Sequence, residues 1–295
     1  MGKSARAQNA RLVELRAQQA KAERRSKLMI AGATVGVVAI VVIALVIAAL
    51  QGGTDVTGQS STALDQATFA KVTSVPAASL DTVGAGASDN PPKTIDAPAL
   101  TKDGKPRVLY VGAEYCPYCA TERWPLVVAL SRFGTWNNLS ASFSAPAPEV
   151  NPNTATVSFH GATYSSQYVS FTGYETSTNK KTNGQWGKLD TLEGEDLALF
   201  QKFNAPPYVQ SSGAIPWINF GGTSIQAGAS YNSAVILNKT QAEIATALAD
   251  PTTDIAKGVN GAANVLTAQI CKSTNQQPTA VCTAPGVVAA AAKLQ

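Results

Sequence analysis

At 295 residues the chain can hold one large or two small domains, and 45% hydrophobic against 14% charged residues is enough apolar material for a sizeable core. Its net charge of +4 is uneven: residues 1–27 carry eight Lys or Arg against Glu14 and Glu23, whereas everything after residue 50 carries fifteen basic and seventeen acidic side chains. No basic nucleic-acid surface is therefore expected on the main domain.

Residues 1–27 read as a solvated, cytoplasmic basic tail. Residues 28–50 follow as 23 uncharged positions rich in Val, Ile, Ala and Leu. At about 1.5 Å per residue they span a hydrocarbon core about 30 Å thick, and they exceed the roughly 7–15 apolar residues of a cleaved signal. A single transmembrane helix is expected, an uncleaved anchor with the basic side in the cytoplasm and residues 51–295 outside the cell membrane. Residues 51–92 read as a linker: a small, polar tether, then a short helix from Asp65 to Val72, with Asn90-Pro91-Pro92 marking the boundary.

The main domain is expected over residues 93–285, with 286–295 as a C-terminal tail. Asp103-Gly104 is a turn signal, and residues 107–113 read as a buried strand. A buried helix is predicted from Pro117 to Phe133, ended by Gly134 and kinked at Pro125, whose ring removes one hydrogen bond. Residues 156–160 and 168–174 alternate as two strands. Residues 176–186 read as an Asn/Lys/Gly-rich surface loop, and residues 192–203 as a helix. Pro216 opens an apolar strand closed by Gly221-Gly222, an arrangement that fits a proline loop with a cis Ile215–Pro216 bond. A further strand covers residues 225–229. Thr240 is expected to cap a helix reaching Leu248, and Asp254 one reaching Ile270.

The chemistry concentrates in Cys116-Pro117-Tyr118-Cys119, between the strand 107–113 and the helix. Residues three apart at a helix start share a face, so a disulfide there opens and closes with little backbone movement. The helix N-terminus stabilises a thiolate at Cys116 and lowers its pKa, leaving the more buried Cys119 as resolving thiol. Outside the membrane disulfides persist, and spacing pairs Cys116 with Cys119 and Cys271 with Cys282. The second pair brackets a polar loop and reads as a structural staple. Zinc needs two further ligands, and with His160 the only histidine and no second C-x-x-C no metal site is expected. Glu114, two residues before Cys116, is either a proton-transfer group for the buried thiol or a solvated carboxylate. Glu122 reads as a solvated carboxylate paired with Arg123. Tyr118 and Trp217 are expected to border the dithiol, and Trp124 to lie in the core.

The order strand, Cys-Pro-Tyr-Cys, helix, distant Ile215-Pro216, strand pair and C-terminal helix resembles the thioredoxin-like α/β fold, here with an insertion. The tetrapeptide resembles that of glutaredoxins; the exported setting and the long insertion are more like the DsbA class of disulfide oxidoreductases. The run from Gly112 to Trp124, with Ala129 to Gly134, Ser158-Phe159-His160-Gly161 and Ile215-Pro216, resembles the membrane-anchored family known as domain of unknown function 929, over roughly residues 65–285. The resemblance implies a proline loop seated against the dithiol, with Ile215, Pro216, Tyr118 and Trp217 meeting the substrate. The function expected is a thiol–disulfide oxidoreductase acting on protein cysteines, with no cofactor and a membrane or extracytoplasmic redox partner. The alternative is a binding or assembly module in which both cysteine pairs are staples.

Overall fold

The structure, a computed structural model, describes residues 55–294; the basic tail and the expected anchor at 28–50 lie outside the described residues. Among the described residues no helix is long and apolar enough to cross a membrane. In chain order the elements are β1 (Thr62–Ala63), α1 (Gln66–Thr73), α2 (Ala77–Val83), β2 (Lys93–Thr94), β3 (Thr101–Lys102), β4 (Lys105–Gly112), α3 (Pro117–Ser131), β5 (Gly134–Asn137), β6 (Ser140–Phe143), β7 (Ala155–Ser158), β8 (Thr163–Ser166), β9 (Ser170–Glu175), β10 (Ser177–Thr182), β11 (Gln185–Lys188), α4 (Gly194–Phe203), β12 (Trp217–Phe220), β13 (Ser224–Ala227), a 3₁₀ turn (Ser233–Ile236), α5 (Gln241–Ala247), α6 (Asp254–Ser273), α7 (Thr279–Cys282) and α8 (Pro285–Ala291).

The architecture is mixed α/β with several sheets. The main sheet is centred on β4, which is apolar from Val108 to Val111 and buried along that length. β9 lies parallel to it, from Arg107 opposite Ser170 to Gly112 opposite Glu175. On its other side β12 is antiparallel, followed by β13 and the two-residue β2, while β3 forms a hairpin with the start of β4. The alternation of β4 divides the core. Val108 and Tyr110 join the large cluster that holds α3 and α6, whereas Leu109 and Val111 join Trp217, Ile225 and Phe203 of α4 in a smaller one.

Helix α3 is buried nearly all round, from Cys119 to Leu130. It packs against α6 on one side and β7 on the other, and Trp124 Nε1 donates to the Ala155 carbonyl at 3.1 Å. The insertion between α3 and β9 thus covers the helix with two small sheets, β6-β7, extended by β1 from the tether, and β5-β8.

The helix runs through Pro125, and the carbonyl of Thr121 that the proline leaves without a donor receives the Tyr231 hydroxyl at 3.2 Å. Several expectations are corrected. Residues 176–186 form the hairpin β10–β11 instead of a loop. The Thr253 side chain, not Asp254, caps α6, accepting from the Ala256 amide at 3.1 Å. The tether is strapped down: Val56 and Lys181 exchange backbone bonds of 2.9 and 2.8 Å, and β1 pairs with β6. The C-terminal tail contains α8, with Val287 and Ala290 buried. Cys271 and Cys282 form a disulfide that ties α6 to α7.

Candidate functional site

The dithiol sits where β4 ends and α3 begins, at the carboxyl edge of the main sheet, where crevices of α/β folds lie. Cys116 is the N-cap of α3 and Pro117 its first residue, where a missing N–H costs nothing. The Cys116 sulfur acts as the capping group, accepting from the Cys119 amide at 3.2 Å. Its other neighbour is the proline loop: Sγ lies 3.6 Å from the Ile215 carbonyl oxygen, and the Ile215–Pro216 bond is cis. Both thiols are free, Cys119 fully buried and Cys116 about 5% exposed.

This environment splits the two thiols. The hydrogen bond from Cys119, the amides of Cys119 and Tyr118 and the charge of Arg123 lower the Cys116 pKa, outweighing burial. Burial, together with the hydrogen bond to Cys116, holds the Cys119 thiol well above the ordinary value. The two sulfurs are thus unequal: Cys116 gives up its proton more readily than an ordinary thiol, and Cys119 less readily.

Beneath the pair lies a buried ion pair. Arg123, two turns into α3, donates from Nε to Glu175 Oε1 at 2.7 Å and from Nη2 to Glu175 Oε2 at 2.6 Å, and Nη2 also reaches the Ala113 carbonyl at 2.8 Å. Glu175 arrives at the end of β9 because its register sets it opposite Gly112. Burial raises the Glu175 carboxyl against the pull of the guanidinium. Burial alone would lower Arg123, but the Glu175 charge outweighs it and keeps the guanidinium protonated. Tyr110 completes the layer: its hydroxyl would lie 2.2 Å from a Cβ at position 112, so only glycine fits there.

The remaining candidates divide. Tyr118 is 46% exposed beside the sulfurs in sequence, and Tyr115 stacks flat on Trp186 of the β10–β11 hairpin, centroids 4.6 Å apart. Trp217 is a correction: it is fully buried in the smaller core cluster, edge-on to Phe200, so no substrate reaches it. Glu114 is buried and accepts from the Ser61 hydroxyl at 2.9 Å. Glu122 is a second correction, being fully buried and not paired with Arg123; Gln226 and Ser230 hold it instead. Arg123, Glu175 and Trp186 were missed as site residues. The available signal was an adjacent Glu-Arg pair inside a helix otherwise apolar on every face, where charges must be paired internally. His160 lies half-exposed, its Nδ1 2.7 Å from Asp190. Among the described residues no cluster of three or more His, Cys, Asp or Glu could hold a metal.

Residues 92–191 match the family model of a domain of unknown function, DUF929. The DUF929 match takes in the dithiol, Glu122, Arg123, Glu175 and the β10–β11 hairpin, and stops before the proline loop. No curated protein and no solved structure matches the chain.

Proposed function

We propose that the chain is a thiol–disulfide oxidoreductase of thioredoxin-like fold, tethered to the cell membrane by residues 28–50 and acting outside it on protein cysteines. The observation that carries this reading is the asymmetry of the dithiol: a helix-capping sulfur with a lowered pKa against the cis-proline loop, and a buried partner with a raised one. The strand order β9-β4-β12-β13, with α3 leaving β4 at the dithiol, supports the fold assignment.

In the oxidising direction the enzyme starts with a Cys116–Cys119 disulfide. A substrate thiolate attacks Cys116 Sγ, the Sγ–Sγ bond breaks, and its electron pair goes to Cys119, which takes a proton because burial disfavours its thiolate. A second substrate thiolate then attacks the substrate sulfur of the mixed disulfide. Cys116 leaves as a thiolate held by the Cys119 and Tyr118 amides and the Arg123 charge. Two electrons have passed from the substrate dithiol to the enzyme, and a membrane or extracytoplasmic redox partner removes them. The same steps in reverse reduce a substrate disulfide. Ile215 and Pro216 would lie alongside the substrate backbone next to Cys116, with Tyr118 at the rim.

The small exposure of Cys116 favours one other reading, a binding module whose Cys116–Cys119 bond is a staple. The reduction potential separates the two. A dithiol that equilibrates with peptide thiols supports the enzyme; a potential below about −300 mV without exchange supports the staple.

A further inference from the structure

Basic charge gathers on one hairpin of the domain. Residues 176–189, which contain β10 and β11, hold Lys180, Lys181 and Lys188 and no Asp or Glu. With those three set aside, twelve basic side chains after residue 50 face seventeen acidic ones, so the hairpin is a cationic spot on an acidic domain. Lys180 and Lys188 are exposed and Lys181 partly so, and among the described residues none of them forms a salt bridge. Lys180 Nζ donates to the Ser60 hydroxyl at 2.7 Å, and Lys181 Nζ lies 5.3 Å from the centre of the Trp186 ring. Neither contact neutralises a charge.

The ribbon presents these groups together. Lys181 sits opposite Trp186 across the ladder and Lys188 follows Trp186 by two residues, so all three share one side. Lys180, the neighbour of Lys181, projects from the other side. A ribbon that approaches a surface by its Asn183-Gly184 turn therefore brings cations from both sides to that surface.

The chain also enters the described domain at this hairpin. Val56 and Lys181 exchange backbone bonds of 2.9 and 2.8 Å, the Asn183 amide donates to Asp55 Oδ1 at 2.8 Å, and Asn179 Nδ2 donates to the Gln59 carbonyl at 2.8 Å. The proposed anchor ends at Leu50, five residues before Asp55. Fully extended, five residues cover at most about 18 Å, so an anchored chain cannot carry Asp55 further than that from its point of exit. Headgroup charge is felt across about 8–10 Å at physiological salt, a distance the hairpin can close.

We infer that the β10–β11 hairpin docks onto a membrane surface bearing anionic lipid headgroups, its lysines meeting the phosphates and Trp186 the boundary beside them. The inference rests on the anchor of the proposed function. Each lysine near such a surface strengthens binding by about fivefold, which is weak for a free domain. An anchor makes the contact effectively intramolecular and so populates it. The dithiol is tied to the same ribbon. The Thr176 amide donates to the Gly112 carbonyl at 2.8 Å, the Glu114 amide to the Ser177 carbonyl at 2.9 Å, and Tyr115, the residue before Cys116, stacks on Trp186. Docking therefore fixes the height of the dithiol above the leaflet.

Tryptophan quenching tests this on the full-length protein. It is inserted into vesicles of phosphatidylcholine, alone or with one third phosphatidylglycerol, that carry headgroup spin-labelled lipid as quencher. Trp124, Trp136 and Trp217 are at most 2% exposed, so the partly exposed Trp186 is the reporter, and Trp186→Phe supplies the background. Quenching should be about threefold or more stronger in the anionic vesicles. It should fall to the neutral level as salt rises from about 0.1 to about 1 M and the screening length drops from about 10 to about 3 Å. Lys180→Gln/Lys181→Gln/Lys188→Gln should be quenched at the neutral level in both vesicles, while exchange with a neutral cysteine peptide in detergent stays unchanged. The lipid and salt comparisons use wild-type protein alone and decide the matter even if the triple variant does not fold.

Vesicle flotation separates the ways of failing. Protein that floats with both vesicles but is quenched equally in both keeps the anchor and overturns the docking. Slower exchange of the triple variant with acidic peptides only would then assign the lysines to an acidic protein. Charge-dependent quenching that persists in the triple variant also overturns the hairpin as the contact. Protein recovered free of both vesicles removes the anchor, and the docking with it.

Discussion

Cys116 Sγ receives the Cys119 amide at 3.2 Å while facing the Ile215 carbonyl at 3.6 Å, so one sulfur touches both the start of α3 and the proline loop. A thiol in that position is activated by the helix and lies against the proline loop. The alkylation of reduced protein should reflect this. Cys116 should react with iodoacetamide with a midpoint below the ordinary thiol value of 9.0, and Cys119 should not react in the folded state. The reduced form should also gain stability as pH rises towards 9.0, because the folded thiol gives up its proton more readily than the unfolded one. A midpoint at or above 9.0 would contradict the geometry.

The Arg123–Glu175 pair is buried on both sides, so removing one partner leaves the other charge without compensation. Arg123→Met should cost about 3–5 kcal/mol in urea unfolding. It should also raise the alkylation midpoint of Cys116, since the guanidinium is one of the groups holding that thiol down. A loss under about 1 kcal/mol, the range of exposed pairs, would place the pair in water.

Tyr118 and Trp217 should separate binding from stability. Trp217→Ala opens a hole in the smaller core and should cost about 3–5 kcal/mol, measured by denaturation. Tyr118→Ala, at a half-exposed rim position, should leave stability within about 0.5 kcal/mol and raise the KM for a cysteine peptide. The opposite pattern would mean that the two aromatic residues had exchanged roles.

Much of this was legible in the chain. The β4 strand, the dithiol at the head of α3 and the Pro216 strand announce themselves by an apolar run, a C-x-x-C and a Pro with a Gly-Gly stop. Other features depend on tertiary contacts that leave no local mark. Trp217 falls in a short apolar strand that is buried along its whole length, and only the packing of α4 decides that its face is closed. Glu122 and Arg123 read as an exposed pair because neighbours in sequence suggest each other, whereas on a helix they point apart and find Gln226, Ser230 and Glu175 instead. The β10–β11 hairpin was missed despite a usable signal. Asn183-Gly184 has the left-handed conformation at both residues, φ 49° and 77°, that a two-residue hairpin turn requires. Its polar strands hid it.

The Cys271–Cys282 bond closes a short loop, with a sequence separation of 11. Replacing both cysteines by Ser should cost about 3 kcal/mol by the loop-entropy relation. Peptide exchange at Cys116 should be unchanged, since the bond ties α6 to α7 and contributes nothing to the dithiol. A fall in exchange rate without loss of stability would instead indicate a relay between the two pairs.

The most direct measurement is trapping with Cys119→Ser in the native cell. With no resolving thiol, Cys116 should accumulate mixed disulfides with extracytoplasmic proteins that reductant releases and that Cys116→Ser/Cys119→Ser does not form. If Cys119→Ser captures no more than the double variant while remaining folded, the dithiol does not exchange with proteins, and the oxidoreductase reading is wrong.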